Sequence, residues 1–266
     1  MVQNHLMQLL TLTAMEPPAA LDADSIRDEK VKVLRSVPAL TPDQVAQRTV
    51  RAQYAGGVQN GKSMAAYRKE EKVAPDSQTE TFAAVKLFID NWRWQGVPFY
   101  LRSGKRLARQ GSEICIHFRS PPGVLFNAGD RGLANNVLVL RVQPKEGISL
   151  TVNAKTPGSI TRIAPAALDF QYDVAFGSYS PEAYERLLLD AILGDSTLFI
   201  RRDEVEGAWR IIDSIEGAWQ QNQPPLTFYT PGTWGPDEAS ELLTRDGRAW
   251  DIMIDQSASE LAFDLD

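Results

Sequence analysis

The chain has one cysteine, Cys115, and two histidines, His5 and His117, in 266 residues. A lone cysteine excludes an intrachain disulfide, which suits a reducing compartment. Its apolar, alternating neighbourhood predicts a buried core thiol. Two histidines so far apart, one of them without an acidic neighbour at ligand spacing, argue against a zinc site, so no metal is expected. No apolar run approaches the roughly eighteen residues that a membrane span needs. The first residues lack a basic segment and are interrupted by Gln3, Asn4, His5 and Gln8, so they do not read as a secretory signal. A soluble, cytoplasmic protein is the expectation. Positive charge is also short: net charge is −6, which gives no general footprint for nucleic acid or anionic membrane. Phosphate recognition would need a local basic cluster. The chain has no G-x-S-x-G elbow and no P-loop. Gly56-Gly57-Val58-Gln59-Asn60-Gly61 fails as a dinucleotide fingerprint, since no strand precedes it and no helix follows.

What is present reads as helices, then strands, then helices. Leu6, Leu9, Leu10 and Thr13 share the i, i+3, i+4, i+7 face of a helix over 2–16, ended by Pro17-Pro18. This helix has no Ser, Thr, Asp or Asn before it, so the chain is expected to open partway into an element. Asp24-Ser25 predicts a cap for a helix over Ile26–Ser36, and Thr41-Pro42-Asp43 another cap. Residues 51–79 read as a long, polar, irregular stretch. Dense aromatic and β-branched residues favour a strand over Thr81–Asp90. Phe99–Ser103, Glu113–Arg119, Asn136–Gln143, Ile148–Ala154 and Leu168–Phe176 read as further strands with hairpin-like spacing. Ser180-Pro181-Glu182 is a strong helix start, with Leu187, Leu188 and Ile192 as the apolar face behind it. A second helix near Asp203 carries Val205, Trp209, Ile212 and Ile215, and a third begins at Gly235-Pro236. The expected fold class is α+β, a large mainly antiparallel β-sheet with helices packed on one face. Residues 1–250 form the domain and 251–266 an acidic, loosely held tail. Trp92, Trp94, Trp209 and Trp219 are expected to be packing aromatics.

Few residues invite a chemical role on spacing alone. Arg102-Ser103-Gly104-Lys105-Arg106 is a compact basic turn in which Gly104 lets the backbone bend and Lys105 can face a phosphate as a point charge. Such turns are more often solvated surface. His5 can serve as a general base, although a helix-end histidine is commonly just exposed. His117 falls on the polar phase of its strand and reads as solvent-facing without a role.

Longer motifs say more. MVQNHLMQLLTLTAME (Met1–Glu16), SIRDEKVKVL (Ser25–Leu34), TFAAVKLFIDNWRWQGVPFYLRSGKRL (Thr81–Leu107), LRVQPKE (Leu140–Glu146), AYERLLLDAILG (Ala183–Gly194) and EVEGAWRII (Glu204–Ile212) stand in one order. Together they resemble the C-terminal domain of glucose-6-phosphate dehydrogenase, from residue 1 to about residue 250. The resemblance implies a sheet that also forms a dimer interface, hence a homo-oligomer, with glucose 6-phosphate as small-molecule partner. It implies oxidation at C1 of glucose 6-phosphate to the 6-phosphogluconolactone, with hydride passed to NADP, at the entry to the oxidative pentose phosphate pathway. The histidine of Q-N-H-L, here His5, is the implied base for the C1 hydroxyl proton. The lysine of R-x-G-K, here Lys105, and the glutamine of R-V-Q-P, here Gln143, are the implied substrate contacts. A second basic residue often follows that lysine by five positions. Gln110 stands there, so Arg109, one position earlier, is the candidate substitute.

The sequence lacks the family's nucleotide-binding domain and the segment whose carboxylate orients the base. Holding and orienting reactants supplies roughly 7–11 kcal/mol of barrier lowering, so this chain alone is expected not to turn over. The alternatives are a non-catalytic dimerisation or interaction module derived from that enzyme, and a weak sugar-phosphate binder.

Overall fold

The computed structural model describes residues 1–59, 61–119, 134–158, 162–177 and 183–251. The expected helix start at Ser180-Pro181-Glu182, and all of the acidic tail except Asp251, lie outside them. The chain divides into two compact units inside the span read as one domain. One comprises Met1–Arg109 with Glu182–Trp250, the other Gln110–Pro181 with Asp251–Asp266.

The first unit opens with a π-helical turn, Val2–Leu6, that runs into α1, Met7–Ala14. The expected single helix is thus a composite, and its buried face is displaced by one residue. Met7, Leu10, Thr11 and Ala14 are buried, instead of Leu6, Leu9, Leu10 and Thr13. A π turn spends an extra residue per turn and so rotates the face that follows it. Helix α2, Ala23–Ser36, starts earlier than expected. Its cap is Asp22, whose two carboxylate oxygens accept from the Ser25 backbone N–H and the Ser25 hydroxyl at 2.9 and 2.7 Å. Helix α3, Pro42–Arg48, carries a capping box: Thr41 Oγ1 accepts from Gln44 N, and Gln44 Oε1 accepts from Thr41 N.

Where the sequence reads as irregular, the structure forms β1, Thr49–Tyr54, buried along its whole length. The short hairpin β2, Gly57–Gln59, with β3, Lys62–Met64, follows it. Alternation fails to announce β1 because Arg51 and Gln53 are polar yet buried. Arg51 donates to Pro224 O and Asn222 Oδ1, and Gln53 Nε2 donates to Ser77 O and Thr79 O. Such satisfied polar groups can sit inside at small net cost. Strands β4, Phe82–Phe88, and β5, Pro98–Gly104, pair antiparallel.

In the second unit, β6 (Ser112–His117), β7 (Val137–Gln143), β8 (Gly147–Lys155) and β9 (Ile163–Gln171) make an antiparallel meander in that order. The chain expected to be strand to Phe176 instead turns at Tyr172 into α4, Tyr172–Phe176. Cys115 is half-buried on β6 rather than in the core.

The first unit resumes with α5 (Ala183–Leu193), α6 (Arg202–Gln220), β10 (Thr227–Tyr229) and α7 (Asp237–Thr244). Its sheet has the order β10-β1-β4-β5, with β10 parallel to β1. Along β4 the side chains alternate between two cores. Ala83, Val85 and Leu87 join Met7, Leu34, Ile211 and Ile215 from α1, α2 and α6, whereas Phe82 and Ala84 join Tyr229 and Leu242. Most helices therefore back one face, and α7 covers part of the other.

On α6 the buried stripe is Ala208, Ile211, Ile212, Ile215, Ala218 and Trp219, while the expected Trp209 is 41% exposed. Trp92 is fully exposed, contrary to its packing assignment. Trp94 and Trp219 do pack: Trp94 meets Phe99 edge-on and donates to Ala14 O, and Trp219 donates to Thr49 Oγ1. Leu188 and Ile192 of α5 are exposed and Leu187 half-buried, so the apolar face read there is not covered by the described residues. The buried side chain on that helix is Asp190, paired with Arg186.

Candidate functional site

Lys105 stands just beyond β5 in a loop whose backbone is held from several directions. Its N–H donates to Thr81 O at 2.8 Å, and its carbonyl accepts from the Tyr229 hydroxyl at 2.7 Å. Burial raises the Tyr229 hydroxyl above its usual pKa, so it remains a neutral donor at pH 7. Further along, Gly232 N donates to Arg106 O, Ala108 N to Thr233 O, and Gln59 Nε2 to Leu107 O. Arg106 adopts φ 52° and is fixed by Glu70 at 2.7 Å, with its guanidinium over the Tyr54 ring.

Gly104 serves this loop differently from its sequence reading. Its φ is not positive. A Cβ there would lie 2.7 Å from the fully buried Phe82 ring and 3.2 Å from Leu107. Gly235, at φ 112°, approaches the adjoining atoms of the same ring, where a Cβ would lie 2.4 Å from Cε2. Two glycines thus let the backbone close over Phe82, and one of them immediately precedes Lys105. The Lys105 side chain itself is exposed. A pinned backbone with a free ammonium suits capture of an anionic group, since little main-chain entropy remains to be lost on binding.

His5 lies in the π turn Val2–Leu6 and is exposed. Among the described residues its imidazole has no hydrogen-bond or ion-pair partner. The π turn packs against α6 and β5, so the element bearing His5 neighbours the strand that delivers Lys105. Arg109 is exposed at the end of the first unit's opening segment. Gln143 is exposed at the end of β7 in the second unit. The structure thus brings the elements of His5 and Lys105 together, with Arg109 in the same unit, while Gln143 belongs to the other.

Other groups escaped the sequence reading. The Arg102 guanidinium lies over both Trp234 and Trp250, at 5.1 and 4.5 Å from their ring centroids. The Tyr229 hydroxyl that fixes Lys105 is 124 residues away along the chain. Neither partnership leaves a local pattern in the sequence. His117, read as an idle surface residue, shares a 2.7 Å hydrogen bond with Asp251.

Against the sequence reading, a strand does precede the glycine run: β1 ends at Tyr54, and Gly57–Gln59 is itself β2 of the hairpin. The run opens no helix and so does not follow the strand-to-helix pattern of a dinucleotide turn. Among the described residues no group of three His, Cys, Asp or Glu side chains is placed to hold a metal, and no helix is long and apolar enough to cross a membrane.

The fold is α+β, and the loop after β5 presents an exposed lysine from a pinned backbone. The chain belongs to the family described as glucose-6-phosphate dehydrogenase, C-terminal domain, whose profile matches residues 1–251. It is 47% identical over 252 residues to glucose-6-phosphate 1-dehydrogenase of Treponema pallidum, covering 94% of this chain and 49% of that protein. It is also 47% identical over 255 residues to the enzyme of Rhizobium meliloti, covering 96% and 52%. A solved structure described as glucose-6-phosphate dehydrogenase in complex with its substrate glucose-6-phosphate matches with TM-score 0.83 and 38% identity, covering 94% of this chain and 50% of that one. The enzyme of Mycobacterium avium matches with TM-score 0.78 and 36% identity, covering 94% and 49%. The chain therefore spans about half the length of the relatives it matches.

Proposed function

We propose that this chain supplies the substrate side of a glucose-6-phosphate dehydrogenase, which oxidises C1 of glucose 6-phosphate to the 6-phosphogluconolactone at the entry to the oxidative pentose phosphate pathway. In this reading the C1 hydroxyl loses its proton to a ring nitrogen of His5, while the C1 hydrogen leaves with its electron pair. NADP, when bound, would supply the acceptor for that pair; among the described residues none forms a cradle for it.

Lys105 holds the substrate phosphate as a point charge, and Arg109 and Gln143 add further contacts. The observation that carries the proposal is the pairing of an unpartnered, exposed His5 with a neighbouring strand that ends in a pinned Lys105 loop. A neutral imidazole can accept a proton at pH 7, and its free ring leaves it available. Residues 1–250 act as one functional domain in this reading, and the protein works in the cytoplasm.

Calorimetry with glucose 6-phosphate tests the substrate side. Saturable binding at millimolar concentration, lost in Lys105→Ala and kept in His5→Asn, is the expected result. Equal binding by the wild-type chain and Lys105→Ala would remove the lysine from the site. An absorbance assay with NADP and glucose 6-phosphate is expected to show no turnover by the chain alone.

A second reading has its own support. Edge strand β9 exposes Leu168 and Phe170, and beyond it Tyr172 and Phe176 of α4 cluster with Phe170 in the open. Exposed apolar groups on a sheet edge favour pairing. We therefore also propose that copies of the chain associate through this sheet, a property that a dimerisation module without catalysis would share. Light scattering should give the mass of an oligomer; a monomer at all concentrations would sink this part.

A further inference from the structure

We infer that a cleft between α3, β4 and the end of α7 is a second anion site, for the phosphate group of a small organic phosphate. This inference is independent of the proposed function and uses none of its residues. The cleft has a volume of about 390 Å³ and is lined by Arg48, Lys86, Phe88, Leu242, Arg245 and Asp246. That size lies at the small end of ligand sites, which run from roughly 300 to 1,000 Å³.

The charges in the cleft are organised. Asp246 accepts from Lys86 Nζ at 2.5 Å and from the Tyr100 hydroxyl, so the carboxylate is committed to holding Lys86 in place. The Tyr100 hydroxyl is pushed up to about 12, chiefly by burial and then by that carboxylate, and stays neutral. Arg248 adds positive charge beside Asp246. Arg245 reaches Glu241 only at 3.7 Å, with both side chains mostly exposed. Arg48 has no carboxylate partner among the described residues, and its guanidinium lies 5.2 Å from the centroid of Phe88. Lys86 Nζ lies 5.4 Å from the same centroid. Four cations thus stand near two carboxylates, in a protein whose net charge is −6.

A cationic concavity against the sign of the whole molecule is an unusual arrangement to maintain without an anion. Guanidinium groups such as Arg48 and Arg245 match a phosphate through paired N–H donors, and Lys86 adds a point charge. Phe88 and Leu242 supply an apolar wall, which suits an organic phosphate better than the bare inorganic ion. An exposed ion-pair cluster with no ligand would show no preference among anions and no wall effect.

The test is calorimetry on the full chain with phenyl phosphate, inorganic phosphate and sulfate, in wild type, Arg48→Gln, Arg245→Gln and Lys105→Ala. The glutamine variants keep much of the side-chain stem, and circular dichroism checks their folding. Phenyl phosphate should bind with a Kd on the order of 1 mM, tighter than either inorganic anion. Each glutamine variant should weaken it by about tenfold, the scale of one charge-assisted contact. Lys105→Ala should leave it unchanged. Absence of saturable binding to the wild-type chain would overturn the inference whatever the variants do. So would equal affinity for sulfate and phenyl phosphate, or binding lost only in Lys105→Ala, which would move the anion to the β5 loop.

Discussion

Phe82 and Tyr229 decide how Lys105 is presented, and their effects can be separated. Gly104→Ala forces a Cβ to 2.7 Å from the Phe82 ring, which is fully buried and cannot swing away. Overpacking of this kind costs about 1–3 kcal/mol, and urea denaturation of the variant should show a loss of that size. Tyr229→Phe removes the donor to Lys105 O and a second, longer contact to Thr81 O, leaving the Lys105 carbonyl unmatched while Thr81 O keeps the Lys105 N–H. A loss of about 1–3 kcal/mol is expected in the same measurement, together with weaker binding of glucose 6-phosphate as the loop loosens. A variant as stable as the parent would show that the loop is held by its other bonds alone. At this scale the residue types are legible from the chain alone, but the reasons for them are not. R-S-G-K is visible as a basic turn; that its glycine exists for a ring from β4 is not, because the contact joins two strands. The exposure of Trp92 and of Trp209 was equally hidden, since neither residue's neighbours can be read from its own segment.

Strand β1 and the α2–α6 pair show the same limit for whole elements. β1 is buried on both faces, with Gln53 answering two carbonyls and also accepting from Arg68 Nε. Gln53→Ala should cost about 1–3 kcal/mol, because Thr79 O loses its Gln53 donor and the buried side chain is truncated, while Ser77 O keeps the bond from Arg68 Nε. Between α2 and α6, Lys30 Nζ lies 2.5 Å from Glu204 Oε2, with the glutamate fully buried. Glu204 Oε2 accepts no aligned hydrogen bond, so the contact is coulombic, while Oε1 accepts from Arg201 N. Glu204→Ala should therefore destabilise by about 3–5 kcal/mol by stranding the Lys30 charge. Adding Lys30→Met should recover part of the loss, and a double variant no better than the single would count against the pair. α6 itself was legible from its apolar spacing, but which of its residues face inward was settled by α2. β1 was illegible, because period-two patterning assumes that polar residues face water, and Arg51 and Gln53 find partners inside instead.

Across the whole molecule, two carboxylates pull the pH dependence of stability in opposite directions. Hydrogen bonds from Lys86, then from Tyr100, hold Asp246 below its ordinary value of 3.8. Its contribution is present above that value and is lost as pH falls through the lower folded pKa. Burial, then the negative charges of Glu80 and Asp213, raise Glu216 above its ordinary 4.5. Its contribution is present below that value and is lost as pH rises through the higher folded pKa. Denaturation across pH 2–8 should accordingly show Asp246→Asn with a shallower acid decline, and Glu216→Gln gaining stability relative to the parent toward neutral pH. Coincident profiles for parent and Glu216→Gln would contradict the second assignment.

The sequence by itself determined the α+β class, most of the strands, the family, and the candidates His5, Lys105, Arg109 and Gln143. Those rest on local patterning and on long ordered motifs, which survive without knowledge of what touches what. Tertiary structure alone decided that the described strands form two four-stranded sheets and the β2–β3 hairpin in two units, and that the four-stranded sheet of the first unit has its own two-sided core. It also decided that β1 hides its polar side chains, that Gly104 makes room for a distant ring, and that Arg48, Lys86 and Arg245 converge on one cleft. Each of these depends on contacts between residues far apart in the chain, where burial and charge are set by neighbours that no local pattern names.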